Sequence, residues 1–390
     1  MANRESVIQK TEVRNADRNY EAHPAHVELA KLFSSVKIMG PPMSEKLVEL
    51  VTHLFSIEEA EICKALSFLN LKPVEKIARL CKRKSEEIYP VLKDISWRRV
   101  IHENKNMFML YPMIPGIFEY VFMTGKNSEW HKKYAELINE LFGTGYIKEY
   151  LTHDINAIRN IPVQQVIENK NFVVDADLMS NMIDAHDHFA VLHYCPCRHS
   201  KSLIGHTCRR AAPEDGCLVI GNFSKVTVAN GNGRPVSKSE MSDIVADRWE
   251  KKLVFLTANV EPTEQNVICT CCDCCCHGLE TANNYSSRFL AQSHFIAEVD
   301  ESLCNNCGRC ALVCNMHAHI TENRKHCYIP ARCIGCGHCI SICKNNAIRI
   351  VENPSFKQPS KNYLGLLLKM LPSITSMGLK VKLKRYLENN

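Results

Sequence analysis

The sequence predicts an α+β chain of several domains: a helical front, a mixed α/β middle rich in cysteine, and a small cysteine-repeat domain ahead of a basic tail. Three observations carry this. At 390 residues the chain exceeds one ordinary core, and domains of ~100 to 150 residues suggest about three units. Helix-like segments dominate residues 44–150, whereas strand-like runs and helices mix beyond residue 185. Of 21 cysteines, Cys63 and Cys81 stand apart and the rest fall between Cys195 and Cys343.

Composition narrows the class. A hydrophobic content of 45% with 23% charged residues is ordinary for a globular chain, and a net charge of +6 does not by itself call for nucleic acid. No continuous apolar run approaches the roughly 20 residues that span a bilayer, so no transmembrane anchor is expected. The start, MANRESVIQKTEVRNADRNY, lacks an apolar h-region, so no secretory signal is expected and the protein reads as cytoplasmic. In a reducing compartment this many thiols point to metal ligands or redox groups rather than disulfides.

Residues 1–43 read as an N-terminal extension. Residues 44–115 hold helix-like segments at 44–55, 57–69, 73–81 and 85–97, then a two-stranded element around RRVIHENKNMFMLYP. Three helices and a hairpin make the winged helix–turn–helix outline, with KPVEKIARLCKRKSEEIYPVLKDISW as the helix–turn–helix. Its second helix carries Glu86, Glu87 and Asp94 against Lys93 and is expected to break at Pro90, a poor match for an anionic groove. Lys82, Arg83, Lys84, Arg98 and Arg99 flank it, which keeps a DNA face open as the lesser reading. Protein docking or dimerisation is the preferred role, and nucleic acid is not the expected partner. YPMIPGIFEYVFM, apolar and broken by proline, leads into helices at about 128–142 and 144–150 inside a helical connector, 116–180.

The middle, 181–295, is expected to be mixed. HFAVLHYCPCR reads as a short buried strand ending in C-P-C, which would bring Cys195 and Cys197 to a sheet edge. KVTVA and KLVFLTA read as strands, NGNGRP as a turn, and Ser237 to Glu250 as an amphipathic helix with Ser239 as N-cap. NGNG lacks the strand–glycine turn–helix context of a phosphate loop, so no flavin or nicotinamide site is expected. CTCCDCCCHG, residues 269–278, precedes a helix-compatible stretch with Leu279 and Phe289 available for packing, which places its thiols at a helix N-terminus where thiolates are stabilised.

Residues 296–352 carry the sharpest signal. CNNCGRCALVC at 304–314 and CIGCGHCISIC at 333–343 are both C-x2-C-x2-C-x3-C, in which three thiolates hold one iron–sulfur cube and the fourth reaches a second. Cys304, Cys307, Cys310 and Cys343 would bind one [4Fe–4S] cluster; Cys333, Cys336, Cys339 and Cys314 would bind the other. Gly308, Gly335 and Gly337 would let backbone N–H groups approach the sulfurs. This segment resembles the bacterial two-cluster ferredoxins, with one departure: the proline that usually follows the fourth cysteine is Asn315 in one copy and Lys344 in the other. Cys327 lies outside both motifs and is expected to be a buried thiol.

Ten cysteines remain: Cys195, Cys197, Cys208, Cys217, Cys269, Cys271, Cys272, Cys274, Cys275 and Cys276. Eight would saturate two cubes and four would saturate one, so a subset is expected to hold metal. Adjacent cysteines point in different directions, so the six of the run are not expected to share one cluster. Three readings stand: one or two further [4Fe–4S] clusters, which the neighbouring repeat favours; a catalytic cluster with an open iron; and a zinc site or redox-active thiol set. His186, His188, His193, His199 and His206 lie nearby, and none is singled out as a ligand.

The winged-helix-like front, the PGIFE segment, HYCPCRH, CTCCDCCC and the ferredoxin-like repeat together resemble a group of dicluster ferredoxin-type iron–sulfur proteins of anaerobic microbes. That resemblance implies a redox partner role and supplies no substrate. The tail, 353–390, joins Leu364, Leu366, Leu367, Leu368 and Leu371 to Lys380, Lys382, Lys384 and Arg385, a pattern suited to an anionic membrane surface, a partner, or packing on the body. The function expected is transfer of single electrons between a low-potential donor and a partner oxidoreductase, with a ferredoxin or flavoprotein as redox partner. The alternatives are an oxidoreductase whose middle domain holds a catalytic cluster, and a redox-sensing DNA-binding regulator.

Overall fold

The computed structural model describes residues 22–35, 38–68, 70–144, 156–162, 179–284 and 290–388. Most of the N-terminal extension, residues 145–150 of the expected 144–150 helix, and Phe289 lie outside them. The chain divides into two compact units, one of residues 1–147 with 203–205, the other of 148–202 with 206–390.

In the first unit, α1 (Pro24–Phe33), α2 (Glu45–Leu54) and α3 (Ile57–Cys63) pack through Phe33, Leu47, Leu50 and Phe55. Ser44 caps α2, and Ser56 with Glu59 forms a capping box on α3, each supplying a partner for otherwise unpaired N–H groups. Next come β1 (Lys72–Pro73), α4 (Val74–Cys81), α5 (Ser85–Trp97), β2 (Ile101–Asn104) and β3 (Met107–Leu110), the strands forming a sheet in the order β1-β3-β2. The helix expected over 57–69 stops at Cys63. The break expected at Pro90 does not occur: α5 runs through it, because Pro90 and Glu86 are exposed and water can satisfy the carbonyl that Pro90 leaves unpaired. α6 (Phe118–Phe122) and α7 (Glu129–Gly143) complete the unit.

The second unit is built on an antiparallel sheet of β4 (Ile158–Ile161), β5 (Phe189–Leu192), β6 (Leu218–Ile220), β7 (Gly233–Val236), β8 (Val254–Ala258) and β9 (Val267–Cys271), in the order β4-β8-β9-β6-β5-β7. Period-two alternation sorts its faces. Phe189, Val191, Leu218, Ile220, Phe255 and Ile268 point into a core shared with α8 (Met179–Asp184) and α11 (Lys238–Glu250). Val254, Leu256, Cys269 and Cys271 point the other way, into a second core with Leu279 and Ala282 of α12 (His277–Asn284) and with Met316 and Ile334 of the repeat region.

Four sequence expectations change here. KVTVA is not a strand: it lies in α10 (Asn222–Ala229), where the left-handed Gly221 turns the chain and Ser224 and Thr227, one helical turn apart, face inward. Only the start of NGNGRP is a turn, since Gly233 already begins β7. Ser237, not Ser239, caps α11, its hydroxyl accepting the Glu240 N–H at 3.1 Å. C-P-C does not end an edge strand: β5 lies between β6 and β7, and Pro196 opens α9 (Pro196–Leu203).

The repeat region pairs β10 (Phe295–Val299) with β13 (Ile348–Glu352) and β11 (His319–Glu322) with β12 (Lys325–Tyr328), with short helices α13 (Arg309–Val313) and α14 (His338–Ile342). Cys327 is exposed, not buried, because it lies on the outer face of the β11–β12 hairpin. The tail forms α15 (Tyr363–Glu388). Its stretch Tyr363–Leu383, 21 residues, is long and apolar enough to cross a bilayer by length and composition. The sequence showed no such continuous run because Lys369, Pro372 and several hydroxyl residues interrupt it.

Candidate metal centres

The repeat places two thiol sets at the ends of short helices. Cys314, Cys333, Cys336 and Cys339 line one apolar cavity with Ile334 and His338. Backbone donors aim at its sulfurs: Ala297 N–H and Gly335 N–H to Cys333 Sγ, each at 3.4 Å, and Ala318 N–H to Cys314 Sγ at 3.2 Å. Such donors suit thiolates bound to an anionic cluster, so these residues fit a cube. Gly308, Gly335 and Gly337 have φ of +72°, +67° and +82°, a backbone that turns N–H groups inward. Cys310 and Cys343 join Cys333 and Cys339 in one apolar cluster, while Cys304 lies 3.8 Å from His326 Nδ1 and Cys307 is exposed.

Two histidines beside this set were not found by sequence reasoning. His319 Nδ1 and His326 Nε2 lie 2.9 Å apart, and both approach Cys310 closely enough for the three to share an ion. The repeat motif drew attention to cysteine spacing, and no spacing rule reaches across the β11–β12 hairpin. The five histidines named from the sequence fall otherwise: His186 Nε2 meets the Pro262 carbonyl at 3.0 Å, His199 is buried against Tyr194, and His188, His193 and His206 are exposed.

The ten middle cysteines separate into four and six. Cys208 comes from a loop, and Cys272, Cys274 and Cys275 come from the turn between β9 and α12; their sulfurs all lie within 4.8 Å of one another. Cys208 is 3.7 Å from Cys272 and 3.6 Å from Cys274, and Cys274 is 3.8 Å from Cys275. Hydrogen bonding from Cys272 pulls the Cys208 thiol down to about 6.

The other six close a ring. Cys195 neighbours Cys197 and Cys217, Cys217 neighbours Cys269, Cys269 neighbours Cys271, Cys271 is hydrogen-bonded to Cys276 at 3.3 Å, and Cys276 neighbours Cys197. Register explains part of this: Leu218 pairs with Ile268 and Val219 with Val267, so Cys217 lies directly across from Cys269, and Cys271 follows on the same face. Helix starts supply the rest. The carbonyls of Cys195 and Cys276 take the first helical hydrogen bonds of α9 and α12, while their sulfurs accept the N–H groups of Arg198 and Leu279. Hydrogen bonds from Cys197 and Cys217 drive Cys195 well below the ordinary thiol range, and one from Cys217 brings Cys269 to about 5.

Arg198 lies by both groups, 1% exposed. It donates to the carbonyls of Ala212, Thr270 and Asp215 and to the Thr270 hydroxyl, with no carboxylate ion pair among the described residues. Burial works against the charge of its guanidinium, and the sulfurs of Cys195, Cys217, Cys272 and Cys271 around it offset that cost. A buried cation of this kind balances concentrated thiolate charge.

Asn315, where the motif usually has proline, is 1% exposed and joins the repeat region to the cysteine run. Its side chain accepts the Asp273 N–H at 3.1 Å and donates to the Lys252 carbonyl at 2.9 Å, and its carbonyl accepts from Asn283 at 3.0 Å.

Residues 296–319 match the family model described as 4Fe-4S binding domain. No curated protein and no solved structure matches the chain. A 4Fe-4S binding segment together with grouped thiols marks an iron–sulfur protein and supports a redox role.

Proposed function

We propose that the protein is a single-electron relay whose repeat region is a ferredoxin-like domain holding two [4Fe–4S] clusters. One sits on Cys304, Cys307, Cys310 and Cys343, the other on Cys333, Cys336, Cys339 and Cys314, and the six-thiol ring holds a further iron–sulfur centre. The observation that carries this reading is contiguity. Cys314 and Cys336 pack in the same apolar cluster as Cys269, Cys271 and Cys276, while Cys333 and Cys339 pack with Cys310 and Cys343. Electrons entering at one thiol group have an adjacent group to move to, and a low-dielectric path between them. The partner is an oxidoreductase or a small redox protein.

The front unit fits this relay as a winged-helix-like docking module. Arg83 pairs with Glu58 and Glu87, Lys93 with Glu103, and Arg98 with Glu59 and Asp94, so two of the five cations flanking α5, and the lysine within it, are already matched by acids. That favours a protein partner over a polyphosphate backbone. The exposed leucines of α15, with Lys380 and Lys382, form a second docking element suited to an anionic membrane surface.

The test is iron and acid-labile sulfide per chain after purification without oxygen, followed by stepwise reduction and reoxidation with a one-electron viologen. About 12 irons or more, with stoichiometric viologen oxidation, are expected. About 8 irons would remove the ring centre from the relay, and fewer than about 8 would overturn the ferredoxin-like assignment. Turnover of a substrate without an added protein partner would replace the relay by a catalytic reading.

A further inference from the structure

We propose that Cys208, Cys272, Cys274 and Cys275 form a closed structural zinc site, distinct in kind from the iron–sulfur centres around it. The mutual closeness of all four sulfurs sets this group apart. A tetrahedral ion with zinc–sulfur bonds of about 2.3 Å sets its four sulfurs about 3.8 Å apart. The separations here are 3.6, 3.7 and 3.8 Å, and all four sulfurs lie within 4.8 Å of one another. A cube spreads its four thiolates over four irons, so their sulfurs stand much further apart. Among the described residues no other set of three or more cysteines is this compact, the two repeat sets and the six-thiol ring included.

The surroundings match a site with no open position. Leu253 packs with Cys272 and Cys275, and Cys208, Cys274 and Ala211 pack against that cluster. Four thiolates on a divalent ion carry a net charge of −2, and the chain answers with arginine. Arg210 donates its backbone N–H to Cys208 Sγ at 3.5 Å, and Arg209 hydrogen-bonds Cys274. Asp273, inside the turn, fixes both guanidinium groups at 2.8 Å each. Zinc has no redox chemistry and prefers this tetrahedral thiolate set. Bound here it ties the Cys208 loop to the β9–α12 turn, and so fixes the neighbouring cysteines 271 and 276 that belong to the ring. This goes beyond the relay reading, since the ion's place does not depend on how electrons move.

The experiment measures zinc and iron in the same anaerobically purified full-length chain, with zinc K-edge absorption to read the ligands. Expected are about one zinc per chain and four sulfurs at about 2.3 Å. Cys208→Ser and Cys274→Ser are expected to lose zinc while the repeat clusters keep their iron and spectra. If those variants are insoluble, growth in cobalt decides: a tetrathiolate site yields tetrahedral cobalt bands with strong sulfur charge transfer in the wild-type chain. The proposal is overturned by wild-type protein with little zinc and about 16 irons, by zinc bound through nitrogen or oxygen, or by a Cys274 variant that loses about four irons with zinc unchanged. A failure of the relay reading would appear in iron content or viologen oxidation and leave the zinc count standing.

Discussion

Arg198 and Asn315 show how single side chains act across the metal region. Arg198 is a fixed charge among thiolates, so removing it makes each added electron less welcome. If the ring holds the proposed iron–sulfur centre, Arg198→Met should lower its midpoint potential by roughly 100 mV, from about 2 kcal/mol between unit charges several Å apart at an effective dielectric near 20. Arg198→Lys keeps the charge but loses part of the hydrogen-bond fork and should shift it less. A potentiometric titration followed by electron paramagnetic resonance reads both; equal potentials in all three proteins would remove Arg198 from the charge balance. Asn315 was visible in the sequence only as a missing proline, and its use was hidden because Asp273 and Lys252 are distant in the chain. Asn315→Ala strands a half-buried N–H and a half-buried carbonyl, so stability should fall by about 1–2 kcal/mol, measured by denaturant titration. Asn315→Asp keeps the acceptor and should recover part of that.

At the scale of elements the cysteine repeat stood out in the sequence because its residues follow one another along the chain, and its first copy lies in the segment that matches a 4Fe-4S binding domain. The helices at 44–55, 73–81 and 85–97 were legible from periodicity, but KVTVA was not, since its β-branched residues carry strand propensity while Gly221 and the packing of Ser224 and Thr227 enforce a helix. Gly335 is where the second motif depends on backbone. A Cβ there would come within 2.0 Å of the Phe295 carbonyl oxygen in β10, and its φ is +67°. Gly335→Ala should therefore cost about four irons and separate β10 from the cluster loop, read by iron analysis. Gly231→Ala, with φ +67° and nothing within 4 Å of its Cβ, is the control and should cost only about 1 kcal/mol. In the first unit α1 is tied to the end of α2 by His26, whose Nε2 meets the Phe55 carbonyl at 2.8 Å while Nδ1 has no hydrogen-bond partner among the described residues. Burial lowers its pKa below 6.5, so the unfolded chain takes a proton that the folded one refuses. Stability should fall as pH drops below about 6.5 and level off once the folded ring also titrates. His26→Gln, which keeps a donor for Phe55, should make that dependence shallower in thermal melts of the full chain, the remainder coming from His53, His102, His319, His326 and His338, which burial also lowers; an unchanged slope would remove His26 from the effect.

The molecule as a whole combines what was legible with what was not. Spacing alone proposes two thiol sets in the repeat, whereas it does not propose the split of the other ten into four and six, because the ring draws on β9, the residue before β6, and the starts of α9 and α12. Only the sheet register brings Cys217 across from Cys269, and register is not written in cysteine spacing. The tail poses the opposite case, since its apolar and basic residues were plain in the sequence and their exposure was not. Leu364, Leu367, Leu368, Leu371, Leu379 and Leu383 are all exposed on one 26-residue helix, which contributes no cysteine to the thiol groups. A helix of this kind gains both apolar burial and roughly 1 kcal/mol per basic residue at an anionic bilayer. Truncation after Ser360, which keeps the hydrogen bonds of Ser360 to Glu261 and Asn259, should leave iron and zinc unchanged and abolish sedimentation with phosphatidylserine vesicles. Raising salt should weaken the binding of the intact chain, because part of the attraction is screened charge. Binding that survives truncation, or an intact chain that ignores the vesicles, would leave the helix as a site for a protein partner and free the relay from the membrane.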